Sequence, residues 1–128
     1  SIDINCHEDN IYVHSDIAKL ERIVSNLMEN AIRHTNDGGR ITLSLQHSPN
    51  QCVLTITDTG TGIASNELSY IFDERYRGNN AIDDQQAHAG LGLTICKRLS
   101  LLINTEIQVH SVLGEGTSFS LSLRPVNA

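Results

Sequence analysis

Two neighbouring runs of alternating apolar and polar residues constrain the fold of this chain more than any other feature. The first run covers residues 40–47, the second covers 52–57, and residues 48–51 between them have the composition of a hairpin turn. Alternation with a period of two is typical of half-buried strands, and so short a connection makes the two strands antiparallel. An antiparallel pair at this place disfavours a Rossmann fold, whose sheet is mostly parallel.

A long amphipathic helix is predicted before this hairpin. Ser15 and Asp16 supply a helix start, and apolar residues then recur at helical spacing from Ile17 to about His34. A short helix is predicted at 65–71, and a second long helix opens at Gly90 and runs to about residue 102.

Four further runs have the pattern of strands, at residues 1–6, 11–14, 105–110 and 117–123. The stretch 73–89 has no clear periodicity, and a loop of that length inside a compact domain is usually functional or mobile. We therefore expect a single domain over residues 1–128, with one sheet covered by helices on one face.

Charge and cysteine content exclude several functional classes. The net charge of −6 and the lack of a basic cluster argue against nonspecific nucleic-acid binding. Cys6, Cys52 and Cys96 match neither a disulfide framework nor a zinc site, so reduced, buried thiols in a cytosolic setting are expected. The histidines lack metal-ligand spacing, and no apolar run is long enough to span a bilayer.

A polar stripe runs along the first long helix. Asn26, Asn30 and Arg33 fall within an arc of roughly 60° at 100° per residue. Amide oxygens suit a metal ion and hydrogen bonds, and a guanidinium suits phosphate. The stripe is open to two interpretations, a solvated helix face or the floor of a site for a nucleotide and its metal.

The sequence Asp58-Thr-Gly60-Thr-Gly62 follows a predicted strand directly. An ionised Asp accepts hydrogen bonds from groups such as an exocyclic amine, and glycines permit close backbone approach. The alternative interpretation is an ordinary turn that ends a strand.

Two later features suit an anion. Gly90-Leu91-Gly92 at a predicted helix start would offer free N–H groups and the helix dipole, although glycines also permit simple tight packing. The Walker pattern is absent, which disfavours a P-loop protein. Arg75 and Arg77 in the long loop would suit a terminal phosphate, or would be solvated loop charge.

Five stretches in chain order together resemble the catalytic, ATP-binding domain of bacterial sensor histidine kinases, a branch of the GHKL superfamily. They correspond to the N box, first glycine box, F box, second glycine box and final G-x-G-T-x-F box of that family, and they lie at residues 26–35, 58–63, 71–78, 90–93 and 114–119. The resemblance covers nearly the whole chain. It implies the Bergerat fold, an α/β (α+β) two-layer sandwich with a mixed, mostly antiparallel sheet, three helices on one face and a flexible ATP lid at about 73–89.

The resemblance also implies roles for the residues of the N box, with ATP and Mg²⁺ as cofactors. Asn30 resembles the Mg²⁺ ligand and has a catalytic role, and Asn26 belongs to the nucleotide-binding set. Arg33 resembles the basic residue that reaches phosphate, and His34 takes the position that flanks the nucleotide.

The remaining boxes supply the adenine pocket and the phosphate contacts. Asp58 resembles the acid that receives the adenine amine, in a pocket shaped by Gly60, Gly62 and Ile63, with Thr117 as a hydroxyl on the wall. Tyr76, Arg77 and Gly78 end the F box, with Arg77 as the catalytic contact to the γ-phosphate, and Gly90, Leu91 and Gly92 would place backbone N–H groups near the phosphates.

Two departures from the family pattern concern the lid. His88 stands where the second glycine box commonly begins with Gly, and Glu74 and Arg75 replace residues typical of the F box. Lid packing is therefore expected to differ, with Arg75 as a competitor of Arg77 for phosphate.

The implied function is transfer of the γ-phosphate of Mg·ATP to a histidine on a separate dimerisation domain, so this domain alone is an incomplete protein-histidine kinase. The implied partners are that domain and, indirectly, a response regulator, without nucleic acid or direct membrane contact. We expect a cytoplasmic, monomeric domain of a homodimeric parent anchored in the bacterial inner membrane. Alternatives are a nucleotide-binding module without catalysis, an anti-sigma-type serine kinase, and a GHKL ATP hydrolase. Hydrolases of the superfamily carry Glu where this chain has Asn26.

Overall fold

The computed structural model describes residues 2–6, 13–73 and 84–125. Its helices are α1 (Ile17–His34) and α2 (Asp84–Leu102), with a single 3₁₀ turn at Leu68–Tyr70. Its strands are β1 (Ile2–Cys6), β2 (Val13–His14), β3 (Ile41–His47), β4 (Cys52–Asp58), β5 (Gln108–Val112) and β6 (Gly116–Pro125).

The strands form one mixed sheet in the order β1-β3-β4-β6-β2, and β5 also pairs with β6. Only the β1–β3 pair is parallel among the described strands; all other pairs are antiparallel. The predicted hairpin is confirmed as β3–β4, with Ile41 opposite Asp58 at its open end. The α/β sandwich with a mostly antiparallel sheet is therefore confirmed.

The core lies between the sheet and the two long helices. Alternate residues of β4 point inward, as the period of two requires, and Asp58 is the last of these inward positions. Ile23, Leu27 and Ala31 of α1 face the sheet, and the other buried apolar side chains of the core are Ile41, Cys52, Leu54, Ile56, Ile71, Leu93, Cys96, Ile107, Phe119, Leu121 and Leu123.

Local hydrogen bonds fix both ends of α1. The Asp16 side chain accepts from the backbone N–H of Lys19 (3.2 Å) at the predicted helix start. At the other end the Thr35 hydroxyl donates to the carbonyl of Ala31 (2.7 Å). Ile32 is 54% exposed, because the buried arc of α1 centres on Ile23 and Leu27 on another side of the helix.

The second long helix begins earlier than the sequence predicted. α2 starts at Asp84 instead of Gly90, so residues 84–89 at the end of the predicted lid are helical. Gln and Ala, which are frequent in this stretch, have high intrinsic helix propensity even without an apolar periodicity.

The strand after α2 begins later than predicted. β5 starts at Gln108, because Thr105 lies in the turn that closes α2, where its N–H donates to the carbonyl of Ser100 (2.9 Å). The predicted short helix at 65–71 is the 3₁₀ turn. Within the described ranges, no helix is long and apolar enough to cross a lipid bilayer.

Candidate functional site

One row of register partners crosses four strands at the end of the sheet. The row crosses β3, β4, β6 and β5 and consists of Ile41, Asp58, Thr117 and Ser111, each directly opposite the next. Directly opposed residues of antiparallel strands share a face, and the burial of Ile41 shows that this is the face toward the helices. The pairing therefore places three polar side chains next to each other on the core side of the sheet.

Asp58 is held at this row by backbone donors. It is only 4% exposed, its Oδ1 accepts from the N–H of Gly60 (2.8 Å), and the N–H of Thr117 also bonds to it. Burial raises the pKa of Asp58 above its ordinary value, while these two N–H groups and His34 oppose the rise. The backbone therefore fixes the orientation of the buried Asp58 carboxylate, which is a hydrogen-bond acceptor.

The two glycines of the Asp58 motif allow other elements to approach it. A Cβ on Gly60 would collide with the main-chain carbonyl of His34 at the end of α1. Gly62 has φ +72°, and a Cβ there would collide with the carbonyl of Val112 at the end of β5. The motif therefore contacts both α1 and the β5–β6 hairpin. A turn that only ended β4 would not need these two contacts.

Ser111 belongs to this site, although the sequence interpretation did not select it. Its Oγ accepts from the N–H of Ile63 (2.7 Å), donates to the carbonyl of Gly116 (3.0 Å) and lies 2.8 Å from Thr117 Oγ1. The signal in the sequence was the tight turn before the last strand, which places Ser111 opposite Thr117. The prediction had ended the preceding strand at His110 and so left Ser111 out.

Asn30 lies on the buried side of α1. It is 7% exposed, and its Oδ1 has no hydrogen-bond partner among the described residues. Leaving a buried amide oxygen unpaired costs about 1–3 kcal/mol, so such an atom calls for an explanation. The helix supplies this oxygen at the position predicted for a metal ligand.

Asn26 lies one turn before Asn30, at the contact between the two long helices. The Asn26 side chain hydrogen-bonds to the thiol of Cys96. It also lies next to Gly92 of α2: a Cβ added to Gly92 would be 3.9 Å from the Cβ of Asn26. Burial raises the pKa of Cys96 to about 12, with Asn26 opposing the rise. The structure thus brings Asn26 and Gly92 together where α1 packs against α2.

Arg33 and His34 occupy the last turn of α1. Arg33 Nη2 lies 3.4 Å from Glu29 Oε1 in a surface pair of the kind that contributes little to stability. His34 is exposed, yet the protein around it displaces enough water to lower its pKa. The charge of Arg33 lowers this pKa further, and the charge of Asp58 raises it. The imidazole is therefore close enough to Asp58 for their charges to interact.

Phe72 is anchored just before the undescribed residues 74–83. Its carbonyl accepts from Thr94 Oγ1 (2.9 Å), and its ring meets Phe119 edge-on at 6.3 Å. Lys97 Nζ lies 5.7 Å from the centre of the same ring. Both α2 and β6 therefore fix the residue that precedes the predicted lid.

The described structure does not assemble the predicted phosphate contacts. Tyr76, Arg77 and Gly78 lie outside the described residues, as do Glu74 and Arg75. Because α2 begins at Asp84, Gly90, Leu91 and Gly92 lie inside the helix, past its first four unpaired N–H groups. Their contact with phosphate stays a prediction.

The donor set of the described residues suits a sparsely held cation. No cluster of three or more His, Cys, Asp or Glu side chains that could hold a metal occurs among the described residues. Mg²⁺ prefers oxygen ligands and usually combines one or two protein groups with substrate phosphates and water. The unpartnered Asn30 Oδ1 fits that requirement.

Comparisons with known proteins identify the family to which this chain is similar. Residues 15–127 match the family described as histidine kinase-, DNA gyrase B-, and HSP90-like ATPase. The adaptive-response sensory kinase SasA of Synechococcus sp. is 39% identical over 87% of this chain and 29% of that protein. The sensor histidine kinase RppB of Synechocystis sp. is 34% identical over 88% of this chain and 25% of that protein. The chain thus spans less than a third of either relative.

Solved structures share the fold over almost the whole chain. The mycobacterial sensor histidine kinase MprB superposes with a TM-score of 0.80 at 29% identity, covering 97% of this chain and 84% of that chain. Full-length ShkA in complex with AMPPNP gives a TM-score of 0.81 at 25% identity, covering 99% of this chain and 26% of that chain.

Proposed function

This chain belongs to the histidine kinase-, DNA gyrase B-, and HSP90-like ATPase family, and on that premise we propose that it binds Mg·ATP and presents the γ-phosphate to a histidine of a separate domain. In the transfer, the lone pair of one imidazole nitrogen forms a P–N bond while the bond between the γ-phosphorus and the β–γ bridging oxygen breaks, and the other ring nitrogen releases its proton to solvent. ADP is the leaving group. The two relatives, one named a sensory kinase and the other a sensor histidine kinase, support this reaction over others of the family.

The buried Asn30 Oδ1 without a hydrogen-bond partner is the observation that carries the proposal. Natural proteins rarely leave such an oxygen unpaired, and a bound Mg²⁺ would give it a partner. The ion would neutralise charge on the phosphate oxygens. Asn30 would hold the ion from α1, so the main contribution of this residue would be to fix the position of the ion.

The row at the end of the sheet would recognise adenine. Asp58 is an acceptor whose orientation two backbone N–H groups already fix, so little reordering is needed when an exocyclic amine binds. The ionised carboxylate makes a charge-assisted hydrogen bond, which contributes about 1.5–3 kcal/mol. Ile63 and the two glycines of the motif would shape the pocket around the base.

The phosphates would lie toward the last turn of α1. Arg33 and His34 stand there on the same helix as Asn30. We assign the γ-phosphate to Arg77, which Tyr76 and Gly78 flank in the sequence. Phosphoryl transfer depends mainly on positioning and charge stabilisation, which such donors supply.

Hydrolysis is the competing activity within the family. A general base would have to activate water, and Asn26 has no basic group; its side chain is also engaged with the Cys96 thiol. We therefore propose transfer to a protein histidine instead of water. The AMPPNP in the ShkA complex supports adenine-nucleotide binding by a structure of this fold.

The parent protein supplies what this domain lacks. We propose a dimerisation domain bearing the acceptor histidine, a response regulator acting after it, and a homodimeric parent anchored in the inner membrane. The relatives are about three to six times as long as the matched segment, which leaves room for such domains.

Calorimetric titration of the chain with Mg·AMPPNP tests the proposal. We expect saturable binding to the unmodified chain and loss of the Mg²⁺-dependent part in Asn30→Ala. Asn50→Ala is the matched control, because it removes the same amide from an exposed position in the β3–β4 turn. Equal binding by both variants would remove Asn30 from the site, and no binding by the unmodified chain would overturn the proposed function.

Transfer itself is tested with the purified acceptor domain of the parent. Incubation with Mg·ATP labelled at the γ-phosphate should produce acid-labile, base-stable phosphate on that domain. Release of free phosphate at a comparable rate by the chain alone would favour the hydrolase.

A further inference from the structure

The hydroxyl of Ser111 makes three polar contacts, but it has only one proton to donate. It receives the N–H of Ile63 at 2.7 Å, lies 3.0 Å from the carbonyl of Gly116 and lies 2.8 Å from Thr117 Oγ1. A serine hydroxyl has one proton to donate and two lone pairs that accept. The Gly116 carbonyl can only accept, and the Ile63 N–H can only donate.

Only one placement of the protons satisfies all three contacts. Ser111 donates to Gly116, and its two lone pairs accept from Ile63 and from the Thr117 hydroxyl. The opposite direction of the Ser111–Thr117 bond would leave the Gly116 carbonyl without this donor. The Thr117 proton is therefore committed to Ser111, and Thr117 Oγ1 offers only lone pairs to any other group.

The committed proton gives the row a definite chemical character. Thr117 is 6% exposed, is the register partner of Asp58, and donates its own backbone N–H to that carboxylate. Asp58 and Thr117 thus present two side-chain acceptors, side by side, on one face of the sheet.

We propose that Ser111 is a specificity-determining residue, which acts through Thr117 by holding its hydroxyl as an acceptor and so selects 6-aminopurine over 6-oxopurine nucleotides. The inference rests on the proposed nucleotide binding and goes beyond it by naming how the base is discriminated. An exocyclic amine has two protons for two acceptors. A 6-oxo group would add a third acceptor to the pair, and it would be buried there unpaired.

The experiment compares Mg·ADP and Mg·IDP, two nucleotides that differ at the purine 6-position and N1. Calorimetry gives the ratio of their dissociation constants for each variant. In Ser111→Ala the Thr117 hydroxyl can turn and donate to a 6-oxo group, so we expect the IDP/ADP ratio to fall about fivefold. Ser111→Thr keeps the hydroxyl in a strand that favours β-branched residues, and it should restore the ratio to near that of the unmodified chain.

Ser118→Ala is the matched control. Ser118 Oγ lies 2.8 Å from Thr57 Oγ1, a hydroxyl pair of the same length on the other face of the sheet. Its removal weakens β6 in a similar way without touching the row, and the ratio should not change. A fall of the ratio in Ser118→Ala equal to that in Ser111→Ala would mean a merely structural effect and would overturn the inference.

A second variant covers the case in which Ser111→Ala does not fold. Thr117→Val is nearly isosteric and removes the acceptor itself, so it should lower the ratio by a similar factor through weaker ADP binding. An unchanged ratio in Ser111→Ala or in Thr117→Val overturns the inference while leaving nucleotide binding intact. Failure of the unmodified chain to bind either nucleotide overturns the proposed function, and the inference with it.

Discussion

Gly60 faces the main-chain carbonyl of His34 at so short a distance that no side chain fits between them. The contact joins the loop after β4 to the last turn of α1. It brings the helix that carries Asn30 against the strand that ends at Asp58. The geometry of the candidate site therefore depends on the lack of a single carbon atom.

Gly60→Ala should destabilise the chain by about 1–3 kcal/mol, because the neighbouring atoms are backbone and must move. Urea unfolding followed by circular dichroism measures the loss, and nucleotide binding should weaken with it. Gly38→Ala is the control: its φ of +85° is strained for Ala, but nothing lies within 4 Å of the added carbon. A smaller loss of about 1 kcal/mol with intact binding is expected there. Equal behaviour of the two variants would contradict the role of the contact.

Gly92→Ala should stabilise the chain by about 0.5–1 kcal/mol, because Ala has the higher helix propensity and Gly92 lies within α2. The new methyl group would meet Asn26 at ordinary van der Waals distance. A rise in the melting temperature checks this result. A fall would show that Gly92 does not have the helical surroundings described for it.

The pH dependence of the chain should separate stability from binding at Asp58. Its pKa is raised by burial above the ordinary 3.8, so between 3.8 and the raised value the folded state binds more protons than the unfolded state. Stability should therefore fall as pH rises through that window, whereas affinity for ADP should rise because the ionised acceptor forms.

The difference between the unmodified chain and Asp58→Asn reports the titration of Asp58 together with its charge interaction with His34. Melting temperatures and dissociation constants from about pH 4 to pH 7 are the measurement. Stability and affinity that change in the same direction across the window would contradict the assignment of the raised pKa to Asp58.

Thr94→Val should cost about 1–2 kcal/mol, because Thr94 is buried and the change leaves the carbonyl of Phe72 without its hydroxyl donor at nearly constant volume. Thr57→Val makes the same chemical change in a half-buried pair, where water replaces the partner, and should stay within about 0.5 kcal/mol. Chemical unfolding of both variants gives the comparison. Equal losses would argue against a special anchoring of Phe72.

Cys96 should be inert in the folded chain. Its pKa of about 12 leaves almost no thiolate at pH 8, and its side chain is fully buried. In a Cys6→Ser background, a thiol reagent should react with Cys52 and Cys96 roughly a hundredfold or more slowly without urea than with it. Rapid labelling of the native chain would contradict the burial of these thiols.

The sequence predicted the parts of the fold that local patterns determine. The β3–β4 hairpin follows from alternation and a short turn, and α1 follows from its spacing and its Asp16 cap. The start of α2 was wrong because Gln and Ala form a helix without showing a periodicity. The polar stripe of α1 could be found from spacing, but its burial at Asn30 depends on what packs against it.

Ser111 shows what the sequence could not supply. Its importance arises from being opposite Thr117 across a turn, and an error of two residues in the end of a strand hides that pairing. The glycines of the Asp58 motif were selected for closeness to a ligand, whereas the structure shows that they also admit other parts of the chain. Such contacts join residues far apart in sequence, where periodicity carries no information.

The position of β6 has a consequence for how the chain folds. This strand comes last in the chain, yet it pairs with β4, β5 and β2, and it carries Thr117 between Asp58 and Ser111. The row formed by Ile41, Asp58, Thr117 and Ser111 cannot exist until β6 has inserted, so a ribosome-bound chain without β6 would have α1 and a hairpin but not this row. Pairings this distant in sequence form slowly, and nucleotide present during refolding would capture only molecules that have completed this last step.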